Sequence, residues 1–147
     1  PGKNVLGRGE VVEALVLPAP RANSSGCYLR FIPRYEMDIA VVGCGSVLAV
    51  DGGKITYARI GLGAVAPTPV VAEEASRWLV GQPASKESFG KAGELAKKVA
   101  KPISDMRGPA EYRTHLVGIL VKRTLSLAAR RIAGEKIDPL HAPATSE

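Results

Sequence analysis

The chain has 147 residues, 46% of them apolar and 23% charged, with a formal net charge of +6. That length suits one domain burying roughly 70% of its unfolded surface. No apolar run approaches the roughly 20 residues that span a bilayer, and the opening residues lack the basic-then-apolar order of a secretory signal. Pro1 in place of Met reads as a processed chain or an excised piece of a longer one.

The charge is uneven. Residues 97–147 hold ten Lys/Arg against five Asp/Glu, whereas residues 1–96 hold ten against nine. A solvated helix face accounts for such an excess, with an acidic partner or nucleic acid as the rival. Cys27 and Cys44 make no Cys-x-x-Cys, so buried free thiols are expected. His115 and His141, the only histidines, have no Cys or His at ligand spacing.

Along the chain, residues 10–17 (EVVEALVL) form a β-branched apolar run closed by Pro18 and predict a first strand. A loop follows over 18–26, then a second strand over 27–32 stopped by Pro33, then a polar loop over 33–38. Segments 39–50 and 55–64 flank Asp51-Gly52-Gly53 and predict a hairpin, because glycine reaches the positive φ of tight turns. In the return strand Ile55, Tyr57 and Arg59 are expected on one face, with Thr56, Ala58, Ile60 and Leu62 on the other.

Beyond the breaker at 66–69 the period changes. Val71, Ala75, Trp78 and Leu79 predict an amphipathic helix that ends at Gly81. Ser85 suits the N-cap of a second helix carrying Phe89, Ala92, Ala96 and Val99, closed by Pro102. A third starts at Gly108-Pro109 and runs to about Ala133, with Leu116, Leu120 and Leu127 on its buried side. Its Lys122, Arg123, Arg130 and Arg131 are assigned to the exterior. Strands followed by helices, without βαβ alternation, predict an α+β sandwich: an antiparallel sheet of about four strands with three helices on one side. Residues 1–134 form the domain, and 135–147 read as a disordered tail.

The stretch VVGCGSV (41–47) opens like a dinucleotide-binding turn. No helix follows it, so no helix N-terminus is available for a pyrophosphate. Its glycines fit a strand that needs close approach, and Gly61-Leu62-Gly63 repeats the pattern. Paired this way, they predict something large over the sheet: the protein's own helices first, a neighbouring surface second. Ser46, His115 and Asp105 make a triad only on paper, without a Gly-x-Ser-x-Gly elbow. The residues alone describe a noncatalytic α+β module.

Three stretches carry more. YLRFIPRYEMDIAVVG (28–43), ITYARIGLGAVAPTPVVAEEASRWLVG (55–81) and DMRGPAEYRTHLVGILVKRTL (105–125) come in order with compatible spacing. Together they resemble the C-terminal domain of the FAD-binding medium subunit of molybdenum hydroxylases, the family of aerobic carbon monoxide dehydrogenases and xanthine dehydrogenases. The resemblance spans about residues 5–133 and implies an α+β sandwich. It also implies a cytoplasmic complex in which a molybdenum–pterin large subunit oxidises substrate and an iron–sulfur small subunit with two 2Fe–2S clusters relays electrons. FAD on the medium subunit then passes them on. The family's glycine-rich FAD-holding motifs lie in an upstream domain, and this sequence contains none of them.

At the position of Arg30, relatives often have a lysine that approaches the flavin, and the loop over 31–40 borders the isoalloxazine. The resemblance therefore implies Arg30, Arg34, Asp38 and Ile39 as cofactor-binding residues; an ordinary exposed strand residue is the alternative for Arg30. Animal xanthine dehydrogenases carry two acidic residues before the Ile-Ala of this loop, where Met37-Asp38 stands here. That departure leaves the acceptor open between NAD and a quinone, cytochrome or dye. The rival function is a basic nucleic-acid-binding module built on the Lys122–Arg131 helix face.

Overall fold

The computed structural model describes residues 2–34 and 38–137. Residues 35–37, including Met37, and the end of the expected tail (138–147) lie outside the described residues. Four antiparallel strands, β1 (Ser24–Phe31), β2 (Val42–Asp51), β3 (Lys54–Gly63) and β4 (Val70–Val71), form one sheet in the order β1-β2-β3-β4. Helices α1 (Glu73–Leu79), α2 (Lys86–Lys97) and α3 (Ala110–Ile132) follow. α3 packs on β1 and β2, α1 on β3, and α2 bridges the other two helices. The result is the α+β sandwich that strands followed by helices predict.

The β2–β3 hairpin turns at Gly52 and Gly53, whose φ values of +53° and +76° suit glycine. Ser85 caps α2 by accepting the Ser88 N–H at 3.3 Å. Pro109 precedes α3, where its missing N–H costs no hydrogen bond. The core between the layers centres on Leu48, Ile55, Ile60, Leu62, Leu79 and Leu125, all essentially inaccessible.

Three expectations need correction. Residues 10–17 form no strand, and Val11, Val12, Leu15, Val16 and Leu17 are exposed. A β-prone run becomes a strand only against a partner, and no described strand pairs with this one. The fourth strand is instead Val70–Val71, which pairs with Leu62 and Gly61. There the Ala72 N–H donates to the Ile60 carbonyl, so β3 keeps the chain extended until α1 begins at Glu73. Finally, Ile55 lies in the core rather than with Tyr57 and Arg59. Ala49 opposes Tyr57 and Val50 opposes Ile55, leaving Thr56 as an extra residue that switches the side-chain alternation.

Candidate functional site

The sheet has one covered and one open face. Cys44, Ser46 and Leu48 of β2 point to the helices with their partners Leu62, Ile60 and Ala58. Gly43, Gly45 and Val47 alternate to the other side, opposite Gly63, Gly61 and Arg59 of β3. The expectation that the protein's own helices lie over the paired glycines is therefore wrong, because pleating turns those glycines away. The Tyr28 side chain of β1 covers part of them: a Cβ on Gly43 would stand 2.9 Å from its hydroxyl oxygen. Around Gly61 and Gly63 the surface is open. Arg30 is exposed and lies opposite Gly43, which puts it on this same face beside Tyr28.

The β1–β2 connection follows Arg30. Arg34 and Ile39 are both exposed, at 73% for the Arg34 side chain and 66% for Ile39. Asp38 differs, its side chain being only 4% exposed. Its Oδ2 accepts the Arg34 backbone N–H at 3.2 Å and Nε at 3.4 Å. Its Oδ1 accepts the Ile39 N–H at 2.8 Å and Arg107 Nε at 3.5 Å. Desolvation pushes this carboxyl up, but the hydrogen bonds from Ile39, Arg34 and Arg107 outweigh it and hold the group below its ordinary range.

The structure thus brings Arg34, Asp38 and Ile39 into one hydrogen-bonded unit, with Arg30 on the strand leading into it. It also adds residues that sequence reasoning missed. Arg113, in the first turn of α3, is buried; it donates to the Val41 and Gly108 carbonyls at 3.4 Å and pairs with Asp105. Asp105 also accepts the Arg107 backbone N–H at 2.8 Å, which with its two arginines lowers its pKa. One signal was available: Arg113 falls on the apolar stripe of α3 with Leu116, Val117 and Leu120. A cation there has to be paired.

The remaining candidates are occupied by the fold. Ser46 Oγ lies 2.7 Å from Thr124 Oγ1, with Cys44 Sγ 3.4 Å from the same hydroxyl. Thr124 directs its one proton to helix carbonyls, 2.9 Å from Leu120 O, so Ser46 donates to Thr124. Burial pushes the thiols of Cys27 and Cys44 up, away from reactive thiolates. Ser46 is spent in the core and Asp105 on arginines, while His115 lines an open groove with Lys97 and Lys101. Among the described residues no cluster of His, Cys, Asp or Glu has a metal-holding arrangement, and no helix is long and apolar enough to cross a membrane.

The basic face of α3 is smaller than expected. Arg131 donates to the Gly26 carbonyl at 2.6 Å and the Ile137 carbonyl at 3.1 Å, and Arg130 pairs with Glu135. Both arginines are half-buried rather than exterior. Lys122 and Arg123 remain exposed.

A family profile described as CO dehydrogenase flavoprotein C-terminal domain matches residues 28–128. The chain belongs to that family. The carbon monoxide dehydrogenase medium chain of Afipia carboxidovorans is 40% identical over 123 residues, 84% of this chain and 42% of its own. The xanthine dehydrogenase FAD-binding subunit of Escherichia coli O157:H7 is 26% identical over 136 residues, 92% and 47% respectively. Among solved structures, reconstituted CO dehydrogenase from Oligotropha carboxidovorans superposes with a TM-score of 0.74 at 39% identity, covering 78% of this chain and 40% of that one. This flavoprotein C-terminal domain therefore spans under half the length of these relatives. The nucleic-acid reading gains no support from these relatives.

Proposed function

We propose that this flavoprotein C-terminal domain covers one side of a FAD held mainly by residues upstream of it, within an oxidoreductase of the molybdenum hydroxylase class. The observation that carries the reading is the contrast around Asp38. A nearly buried carboxylate organises a segment whose neighbours, Arg34 and Ile39, face outward, beside a sheet face bearing Arg30. The donor chemistry fits: guanidinium groups suit flavin carbonyls or a phosphate, and an exposed isoleucine suits the apolar part of an isoalloxazine. Arg30 and Arg34 would hold oxygen atoms, Ile39 would exclude water, and Asp38 would brace Arg34 and Ile39 from behind.

FAD, when bound, supplies the passage of electrons from iron–sulfur clusters to an acceptor. The chain's own residues perform no bond chemistry; they orient, shield and dock. Its neighbours in the assembly would be the upstream FAD-binding domain, an iron–sulfur small subunit and a molybdenum–pterin large subunit, in the cytoplasm. Equilibrium dialysis of residues 1–147 against FAD tests this division of labour. Weak retention is expected, and tight stoichiometric retention overturns it.

A further inference from the structure

α3 and the short turn before it hold the β1–β2 connection at three points. The Phe31 ring meets the Tyr112 ring edge-on, with centroids 6.1 Å apart and planes at 82°. Arg113 Nη1 donates to the Val41 carbonyl at 3.4 Å, where the connection enters β2. Between these anchors, Asp38 reaches Arg107 on the short turn before α3. That turn is closed on itself: the Gly108 N–H donates to the Asp105 carbonyl at 3.0 Å, and the Asp105 N–H returns to Gly108 at 3.3 Å. Buried Arg113 pairs with Asp105, and Arg107 Nη1 lies 3.7 Å from the other Asp105 oxygen. Arg107 is thus a cation between two carboxylates, one on each segment.

We propose that Arg107 is a positioning residue, and that the ladder Arg113–Asp105–Arg107–Asp38 carries the fixed position of α3 to Arg34 and Ile39. The role of those two residues rests on the flavin-facing reading above; the ladder itself does not. Packing of the sheet already fixes β1 and β2, so the ladder is not needed to hold the strands together. Arg107 is 30% exposed and its bond to Asp38 is long, so the pair adds little to global stability. What it determines is where the Asp38 carboxylate sits, and that carboxylate binds the backbone N–H groups of both Arg34 and Ile39. Moving Asp38 therefore releases two outward-facing side chains at once.

The test is 15N relaxation on residues 1–147 bearing Arg107→Gln, Arg107→Lys or Asp38→Asn. In Arg107→Gln and Asp38→Asn, order parameters at Arg34 and Ile39 should fall from about 0.85, the rigid-backbone value, to below about 0.6. Those of α3 should stay unchanged, and Arg107→Lys should recover part of the loss. Unchanged order at Arg34 and Ile39 in folded Arg107→Gln overturns the ladder. Should Arg107→Gln fail to fold, unchanged order at Arg34 and Ile39 in folded Asp38→Asn does the same. A second readout separates the two proposals: the flavin midpoint potential of the FAD-loaded protein extended by its flavin-holding region. Lost loop order with an unmoved potential supports the ladder and counts against the flavin-facing reading. A moved potential with intact loop order overturns the ladder.

Discussion

Ile60 and Gly61 are adjacent in β3 and face opposite worlds. Ile60 is fully buried under the helices, whereas a Cβ on Gly61 would meet only the Gly45 carbonyl oxygen, at 3.9 Å. The same split runs across the sheet. The inner face is apolar and covered by the helical layer, and its buried Ser46, Ser76 and Thr124 hydroxyls are hydrogen-bonded to side chains or to the backbone. The outer face carries glycines, Tyr28, Arg30 and Arg59, and little of the described chain covers it. One face is built for the stability of the domain and the other is free to serve something else. The two should respond very differently to substitution.

The widest gap is expected between those neighbours. Ile60→Ala should cost about 2–5 kcal/mol, the range for a large-to-small change in a sealed core. Gly61→Ala should leave stability unchanged or raise it by about 0.4–1 kcal/mol through the unfolded state. Urea denaturation of both variants measures the contrast, and equal losses would erase it.

The helical layer offers a second pair. A Cβ on Gly93 of α2 would stand 2.7 Å from the backbone oxygen of Gly118 in α3, so Gly93→Ala must push the helices apart and should cost about 1–3 kcal/mol. A Cβ on Gly118 meets instead the far end of the Lys97 side chain, which can swing away. Gly118→Ala should therefore be neutral or gain up to about 1 kcal/mol of helix propensity in thermal melts.

Smaller effects follow inside the inner face. Thr124→Val deprives the Ser46 hydroxyl of its 2.7 Å partner and should cost about 1–2 kcal/mol. Adding Ser46→Ala should recover part of that, because no buried hydroxyl is then left without its partner. A double-mutant cycle reads the coupling.

The smallest effect belongs to the open side and depends on pH. Asp38, facing Arg34 and Arg107, sits below its ordinary value of 3.8, as does Asp105 between Arg107 and Arg113. A depressed carboxyl stabilises the fold above its unfolded pKa, and that contribution is lost as pH falls through the lowered folded value. Arg34 and Ile39 should stay ordered from neutral pH to about pH 4 and loosen below it, while the core amides remain protected. Loosening that begins near neutral pH would contradict the assignment.

Much of this was legible in the residues, because local chemistry determined it. Gly52-Gly53 marked the hairpin, Ser85 the start of α2, and Gly108-Pro109 the start of α3. What could not be read depended on partners distant in sequence. The segment at 10–17 has the composition of a strand but no strand beside it. Val71 has the spacing of a helix residue yet pairs with Gly61. The bulge at Thr56 follows from how β2 and β3 register, which alternation in one strand does not reveal. At the candidate site, the resemblance brought Arg34, Asp38 and Ile39 forward, but not the hydrogen bond from Arg107 to Asp38 or the pairing of Arg113 with Asp105. The first of these joins residues 69 positions apart and exists only in the folded chain.

The most direct test of the central claim is a chemical-shift map of residues 1–147 titrated with FAD to millimolar concentration. Weak, fast-exchange perturbations centred on Arg30, Arg34 and Ile39 are predicted, with the helical layer silent. Perturbations confined to the helices, or none at millimolar flavin, would contradict the account.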